Sequence, residues 1–196
     1  MKRAFDFGVS LGGLVVLSPL LAVAAALVKL SSPGPALYRG ARVGRDGRTF
    51  QILKLRTMRI GADTLGPAVT TAADARITPV GRFLRRTKFD EVPQLVNVVR
   101  GEMSLVGPRP EHPDFVKHYS EDQRKVLSVR PGLTSPAALA YIREEEMLAD
   151  ADPVAQYMTT IMPQKLALDL DYLRTATFVG DLRIIGRTLA RVIVRR

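Results

Sequence analysis

Residues 88–95 read KFDEVPQL and set two adjacent carboxylates, Asp90 and Glu91, ahead of a proline and an apolar run. Proline is tolerated in the first turn of a helix, and glycine favours the position just past its end. With Gly101 closing the apolar run, the pattern predicts a short helix over residues 91–100 that has Asp90 at or near its N-cap.

The start of such a helix favours negative charge, and here it follows a basic run that includes Arg85 and Arg86. An ionised carboxylate among arginines is suited to act as a nucleophile toward phosphorus. The spacing by itself favours an ordinary acidic N-cap, so the choice between the two interpretations depends on the rest of the chain.

Composition and charge narrow the classes of function. The 196 residues suffice for one domain with a sizeable core, or for one domain plus a membrane element. The chain has no cysteine and two histidines, which argues against thiolate metal sites, His-rich metal sites and a Ser-His-Asp triad. Residues 1–60 carry +8 of the net charge of +10, and such a block indicates phosphate-bearing partners: anionic lipid, nucleotide or nucleic acid.

The N-terminal segment has the composition of a membrane helix. Between Asp6 and Lys29 lie 22 uncharged residues, enough to cross a bilayer. Positive residues mark the cytoplasmic end of a spanning helix, which has only one such end. Here the residues on both sides of the segment are positive. A segment that enters and returns to one face removes that conflict, and Ser18 and Pro19 at its middle predict the break. We therefore predict a re-entrant helix-break-helix hairpin over residues 1–32, with a spanning anchor and a cleavable signal peptide as alternatives.

Residues 33–196 are predicted to form a small α+β, mostly helical domain on the cytoplasmic face. A β-hairpin is expected around the turn at residues 44–47, and Thr78 followed by Pro79 predicts a helix that ends near Arg86. Further helices are expected at residues 111–129, 137–148 and 153–175, and a basic amphipathic helix suited to a membrane interface at residues 178–196.

Several cations outside the central segment are candidates for phosphate binding. Lys54 lies in the strand predicted at residues 49–55 and Arg56 follows it, and the two indicate either a phosphate-facing edge or a solvated strand face. Arg109 lies between two prolines, and a rigidly held arginine suits a bidentate grip on phosphate. Arg130, followed by proline and glycine, repeats this pattern less strongly. For both arginines, binding to loop carbonyls is the alternative.

Four motifs, in order, carry a family resemblance: LKLRTM at residues 53–58, LRRTKFDEVPQLVNVVRGEMSLVGPRPE at 84–111, VRPGLT at 129–134 and DLDYLRTATFVGDLRI at 169–184. Together with the apolar N-terminal segment that holds Ser18 and Pro19, they make the chain similar to the bacterial sugar transferase family, the small monotopic phosphoglycosyl transferases. The resemblance covers nearly the whole chain, and its central block is the most specific part.

The resemblance implies transfer of a sugar 1-phosphate from a UDP-sugar to undecaprenyl phosphate at the bacterial inner membrane, giving a polyprenyl diphosphate-sugar and UMP for glycoconjugate assembly. It implies Mg²⁺ as cofactor, bound through Glu91 and Asp90, with Asp90 as the nucleophile. Anionic lipids are expected partners, nucleic acid is not, and a homodimer stays open. The positions that the family pattern or the basic motifs suggest for phosphate are Lys54, Arg56, Arg85, Arg86, Arg109 and Arg130, and Asp169 matches the acid of the C-terminal motif.

The charges of the substrates give a physical reason for this arrangement. The donor diphosphate and the attacking carboxylate are both anionic, so a divalent cation and several arginines are needed to bring them together. Attack by Asp90 would expel UMP and leave an aspartyl phosphosugar. The lipid phosphate would then attack that intermediate in a second step, so that a soluble donor and a lipid acceptor use one site in turn.

One region departs from the family pattern, and two other classes of function stay as alternatives. Residues 130–141 read RPGLTSPAALAY where many members have RPG-I-T-G-[WL]-A-Q, so no donor sugar is carried over. The glutamates at residues 144–146 are expected to form a solvated face. A membrane-tethered nucleic-acid binder would need no Asp-Glu pair, and 6 % aromatic residues offer few stacking platforms. An envelope-assembly scaffold would release no nucleotide from a sugar donor.

Overall fold

The computed structural model describes residues 1–62, 64–66, 69–71, 73–148 and 152–194. Helix α1 (Lys2–Ser31) is followed by a two-stranded antiparallel sheet of β1 (Leu37–Val43) and β2 (Thr49–Leu55). Short helices and a second pair of strands then build the domain, which ends in α10 (Phe178–Val194). A mostly helical α+β fold with a long apolar N-terminal helix is therefore confirmed.

Helix α1 is continuous, and the break expected at Ser18 and Pro19 is wrong at the level of secondary structure. Proline lacks the N–H that would bond to the carbonyl four residues earlier, which here belongs to Val15. The Ser18 hydroxyl donates to the Val15 carbonyl at 2.8 Å and takes the place of the missing donor. The helix can therefore pass through Pro19 without leaving a main-chain acceptor unpaired.

Most of α1 is not covered by protein. Its most apolar 18-residue window has a mean hydropathy of 2.4 and is only 11 % buried, and the helix is long enough to cross a membrane. Val16 is 74 % exposed and Leu30 is 84 % exposed, whereas Ala24 and Val28 pack against Leu55 and the following helix. Large exposed apolar surfaces mark sites of contact with a membrane or a partner. A membrane location fits this helix.

The hairpin of β1 and β2 has the predicted position. Leu37 pairs with Leu55 and Val43 with Thr49, and the turn contains Asp46 and Gly47 with positive φ. A second sheet pairs β3 (Ser104–Val106) in parallel with β4 (Gly132–Thr134).

Two glycines bring the loop after β3 close to the chain that enters β4. A Cβ atom on Gly132 would lie 2.1 Å from the amide nitrogen of Gly107, so no side chain fits between them. This contact fixes the loop that carries Arg109, because Pro108 accepts the Gly132 N–H at 2.8 Å.

Helix α2 (Pro79–Arg86) begins as predicted, and the Thr78 hydroxyl accepts the N–H of Gly81. The next helix differs from the prediction, since α3 (Gln94–Arg100) starts three residues later than expected. Pro93 has no N–H to direct at the Phe89 carbonyl, and Val92 N–H takes that carbonyl instead. Asp90 therefore lies in the 3₁₀ turn Phe89–Glu91 and not at the N-cap of α3.

The second half of the domain is more broken than the sequence suggested. The single helix expected at residues 111–129 is wrong: α4 (Pro113–Val116) and α5 (Glu121–Arg124) are separated by buried Tyr119, and a capping box at Ser120 starts the second helix. The helix expected at residues 137–148 is two short ones. They are α6 (Pro136–Ala140) and α7 (Glu144–Met147).

The last two predicted helices are present. α8 (Pro153–Gln156), a π-helical turn (Tyr157–Ile161) and α9 (Met162–Thr175) follow one another, and α10 comes last. The expected end of α10 at Arg195 and Arg196 lies outside the described residues.

The two ends of the chain are tied together. Lys2 forms an ion pair with Asp181 on α10, and the Tyr172 hydroxyl donates to the same carboxylate at 2.6 Å. Arg3 donates to the carbonyls of Val98 and Val99 at the end of α3. The membrane-type helix is therefore fixed to both the C-terminal helix and the helix that follows the carboxylate pair.

Candidate functional site

Asp90 and Glu91 lie on a short turn with an unusual entry. Lys88, just before it, has φ 56°, a left-handed conformation that L-residues rarely adopt. Backbone strain of this kind costs about 1–3 kcal/mol and clusters at functional sites. The turn buries Asp90, which is 5 % exposed, and directs Glu91 toward β2 and the loop after β3.

Glu91 is fully engaged by two cations. Its carboxylate accepts from Lys54 Nζ at 2.9 Å and from Arg109 Nη2 and Nη1 at 2.7 Å and 3.4 Å. Burial alone would raise the pKa of Glu91, but Arg109 and Lys54 hold it well below its usual range. Glu91 is therefore ionised at neutral pH and fixes both cations in place.

Asp90 has the opposite environment. Its Oδ1 atom is buried and accepts no hydrogen bond from the residues that the structure describes. Burial raises the pKa of Asp90 to about 6, although Lys54 lowers it, and the neighbouring charge of Glu91 raises it further. Asp90 therefore has a carboxylate oxygen with unused capacity to bond, directly beside a tightly paired carboxylate.

Arg85 is held next to this pair. Its Nε donates to the Thr57 hydroxyl at 2.9 Å and its Nη1 to Glu145 Oε1 at 2.9 Å. Arg85 is close enough to Asp90 to lower the pKa of that carboxyl. Arg86, one residue further on α2, is exposed and lines the same cleft.

Two of the predicted phosphate ligands, Arg56 and Arg130, are bound to main-chain carbonyls in the structure. Arg56 is 6 % exposed and donates to the carbonyls of Val28, Ser32 and Pro33, where α1 ends. Arg130 donates from Nε to the Gly101 carbonyl at 2.8 Å. Both guanidinium groups bind main-chain carbonyls, which was the alternative interpretation for Arg130, and neither contacts the carboxylate pair.

Asp169 contacts the backbone of the loop that carries Arg109. It lies on α9, is 4 % exposed, and its Oδ2 accepts the backbone N–H of Arg109 at 3.3 Å. Burial raises the pKa of Asp169 to about 6, against hydrogen bonding from Ser135 and backbone groups that lowers it. Asp169 therefore helps to hold the loop that presents Arg109 to Glu91.

These residues open onto a cleft of about 1720 Å³. Part of its wall is apolar and comes from α1 and α10, and another part is a basic rim. The apolar part includes Val9, Gly13 and Leu17 of α1 and Ile185 and Leu189 of α10, and the rim includes Arg39, Arg42, Arg59, Arg82 and Arg86. Such a cleft suits a substrate that carries both hydrocarbon and phosphate.

Sequence reasoning missed two residues of the site. Thr57, which orients Arg85, stands inside the LKLRTM motif beside residues that were singled out for their charge. Glu145 was expected on a solvated face, yet it forms an ion pair with Arg85. A run of like charges in the sequence does not indicate which distant residues its members pair with. The contact between Glu145 and Arg85 is therefore visible only in the fold.

The side chains of the site limit how a metal ion could be ligated. Among the described residues, no group of three or more His, Cys, Asp or Glu side chains converges. Mg²⁺ commonly binds one or two carboxylates and completes its shell with substrate phosphates and water. The unpartnered Oδ1 of Asp90 fits such an ion, whereas both oxygens of Glu91 are engaged by Lys54 and Arg109.

The fold and the site together define a class of protein: an α+β domain with an apolar, membrane-type N-terminal helix, whose buried carboxylate pair is surrounded by cationic side chains. Comparison with known families agrees with this class. The family model described as bacterial sugar transferase matches residues 1–195. The chain therefore belongs to the bacterial sugar transferase family.

Individual relatives are similar over the length of the chain. A UDP-glucose:undecaprenyl-phosphate glucose-1-phosphate transferase of Caulobacter vibrioides is 42 % identical over 193 residues, covering 96 % of this chain and 68 % of the relative. A protein with the same description from Escherichia coli is 35 % identical over 199 residues, which is the whole chain but 41 % of the relative. The exopolysaccharide production protein PSS of Rhizobium leguminosarum is 36 % identical over 206 residues, covering 100 % of this chain and 96 % of the relative.

Proposed function

We propose that this protein transfers a sugar 1-phosphate from a UDP-sugar to undecaprenyl phosphate, as the first membrane step of polysaccharide or other glycoconjugate assembly. The names of the relatives from Caulobacter and Escherichia coli support the acceptor and the class of donor. The observation that carries the proposal is the difference between two neighbouring carboxylates: Glu91 is held by Lys54 and Arg109, while Asp90 keeps an unpartnered oxygen.

In the first step, an Asp90 carboxylate oxygen attacks the phosphorus atom that bears the sugar. The new O–P bond forms as the bond to the UMP oxygen breaks, and UMP leaves with that electron pair. Lys54, Arg85 and Arg109 reduce the repulsion between the carboxylate and the diphosphate, because fixed cations stabilise the charge that develops on phosphate oxygens. Asp90 must be ionised to attack, so its raised pKa makes turnover fall as the pH drops below about 6.

In the second step, a phosphate oxygen of the lipid attacks the same phosphorus atom. The bond to Asp90 breaks, the carboxylate is regenerated, and polyprenyl diphosphate-sugar is the product. The apolar wall formed by α1 and α10 continues to the carboxylate pair, which gives a lipid tail a path beside the site. One cleft can therefore serve a soluble donor and a membrane-bound acceptor in turn.

The reaction is proposed to require Mg²⁺, held through Asp90, with Glu91 beside it bound to Lys54 and Arg109. When bound, such an ion offsets the negative charge of the diphosphate and of the leaving nucleotide. The protein contributes the unpartnered Oδ1 of Asp90 and the position of Glu91. Lys54 and Arg109 hold Glu91 through its two oxygens and thereby orient it beside Asp90.

The cytoplasmic face of the bacterial inner membrane is the proposed location, with residues 1–32 entering and leaving on one side and residues 33–196 binding anionic lipid through their basic surface. Two features support a bent course of α1. Pro19 removes a backbone donor at its middle, and a proline inside a helix favours a kink. Positive charge on both flanks supports entry and exit on the same side.

The test is a screen of UDP-sugars with undecaprenyl phosphate and Mg²⁺ that measures release of UMP. Without the lipid, the correct donor should release up to one equivalent of UMP and leave one sugar phosphate on the peptide that contains Asp90. Asp90→Asn should lose both signals, and Asp171→Asn, which removes an exposed carboxylate on α9, should keep them. Turnover that needs both substrates together, with no adduct, would assign direct attack by the lipid instead.

A further inference from the structure

Each of the three glutamates of α7 forms an ion pair with a cation that lines the cleft. Glu144 contacts Lys165 at 2.5 Å, Glu145 contacts Arg85 at 2.9 Å, and Glu146 lies 3.5 Å from Arg143. Glu144 and Glu145 both line the cleft that holds the carboxylate pair. Glu144 also adds to the charges that raise the pKa of Arg109.

The partners in the Arg85–Glu145 pair differ in how firmly they are held. Arg85 belongs to α2, and its Nε is fixed by the hydroxyl of Thr57, which is 7 % exposed. The Glu145 side chain is 40 % exposed and belongs to a helix of four residues. If the pair separates, Glu145 is therefore the partner that moves, and Arg85 keeps its position beside Asp90.

Glu145 occupies a position on Arg85 that a substrate phosphate also requires. A guanidinium binds carboxylate and phosphate through the same planar set of N–H donors. A carboxylate and a diphosphate on one guanidinium would repel each other at short range. A donor phosphate that binds Arg85 through Nη1 therefore replaces Glu145.

We propose that Glu145 is a competing anion that sets the affinity of the site for nucleotides: it holds Arg85 in the empty protein and is exchanged for a phosphate of the donor. This inference rests on the proposed function. Glu145 then returns to Arg85 as UMP leaves, which favours release of the product. The residue lowers the affinity for donor and product alike, and it touches neither the nucleophile nor Glu91 in the structure.

A second role for Glu145 would have the opposite sign. A carboxylate in this position could accept hydrogen bonds from hydroxyl groups of the donor sugar, and its removal would then weaken binding of the sugar nucleotide. The observed ion pair with a candidate phosphate ligand favours competition, because the pair exists without any substrate. Measurements of nucleotide affinity separate the two roles.

The experiment measures binding of UDP and UMP to the full chain in lipid nanodiscs with Mg²⁺, by calorimetry, for wild type, Glu145→Gln and Glu146→Gln. Partly exposed ion pairs are weak, so Glu145→Gln is expected to bind both nucleotides about two- to fivefold more tightly. Glu146→Gln, which removes the same charge from the same helix, should bind them as wild type does. Unchanged or weaker binding by Glu145→Gln overturns the inference.

A reporter on α7 provides a second measurement that does not alter Glu145. Met147 is 47 % exposed and the chain has no cysteine, so Met147→Cys can carry a single fluorophore. UDP should change its emission, and a label at Asp122, which is exposed on α5, should not respond. A silent α7 reporter at saturating UDP contradicts the exchange.

The outcomes distinguish this inference from the proposed function. If wild type releases UMP from a UDP-sugar but Glu145→Gln binds nucleotide no more tightly, only the role of Glu145 is wrong. If wild type neither binds UDP nor releases UMP from any UDP-sugar, the proposed function itself fails.

Discussion

Replacing Asp169 by Asn tests how the fold supports the site. Burial raises the pKa of Asp169 from 3.8 to about 6, so its ionised form is disfavoured in the folded protein. A rise of this size corresponds to about 3 kcal/mol of lost stability at pH 8 relative to an unperturbed carboxyl. Asn keeps a carbonyl oxygen that can accept the Arg109 N–H but cannot ionise, so it avoids this cost.

The sign of the pH dependence follows from proton linkage. Between pH 4 and 6 the folded protein holds a proton on Asp169 that the unfolded chain has lost, so the contribution of this group to stability falls as the pH rises. Below about pH 4 both states are protonated and the contribution vanishes. Asp169→Asn should therefore match wild type near pH 4 and exceed it in stability at pH 8, by up to about 3 kcal/mol.

The assay is thermal unfolding of the two proteins in the same nanodiscs at pH 4, 5, 6, 7 and 8. For a chain of this length, about 3 kcal/mol corresponds to a difference in Tm of roughly 6–12 °C. Asp171→Asn on the same helix is the control, because that carboxylate is exposed and pairs only weakly with Arg174. A Tm difference between Asp169→Asn and wild type that does not change with pH would refute the reasoning.

Three further predictions concern the site and the membrane helix. Glu91→Gln leaves Lys54 and Arg109 without their shared anion, so we expect a loss of about 3–5 kcal/mol in stability, measured by unfolding, and a weaker response of turnover to added Mg²⁺. A chelator in excess should abolish release of UMP, and full activity there would exclude a metal requirement. Single cysteines at Lys2 and Arg45 should both be labelled from the cytoplasmic side only, and Pro19→Leu should allow labelling of the first from the opposite face.

Local rules recovered the elements whose signals are local. Thr78 with Pro79 fixed the start of α2, the turn at residues 44–47 fixed the hairpin, and a glycine with positive φ ended α3 at Gly101. The helix expected at residues 111–129 failed because burial of Tyr119 against the C-terminal helices competes with helix continuity, and no local pattern records that contact.

The site shows the same division. The pairing of Asp90 with Glu91 is visible in the sequence, but their different environments arise because β2 and the loop after β3, distant in the chain, both direct cations at Glu91. Adjacent carboxylates cannot be told apart by type. The partners of Glu91 are Lys54 and Arg109, which lie 37 and 18 positions away in the chain. Because both bind Glu91, Asp90 is left with an unpartnered oxygen.

Arg56 was expected to bind phosphate, and the structure shows its guanidinium bonded to carbonyls at the end of α1. Its guanidinium donates to three carbonyls at that end, those of Val28, Ser32 and Pro33. Lys54, two residues earlier in the chain, holds Glu91. This segment therefore links the membrane helix to the carboxylate pair. Arg56→Lys keeps the charge but loses the fork of donors, so we expect Tm to fall by several degrees while the KM for the donor in the folded fraction stays unchanged. An unchanged Tm with a raised donor KM would instead assign Arg56 to the phosphates.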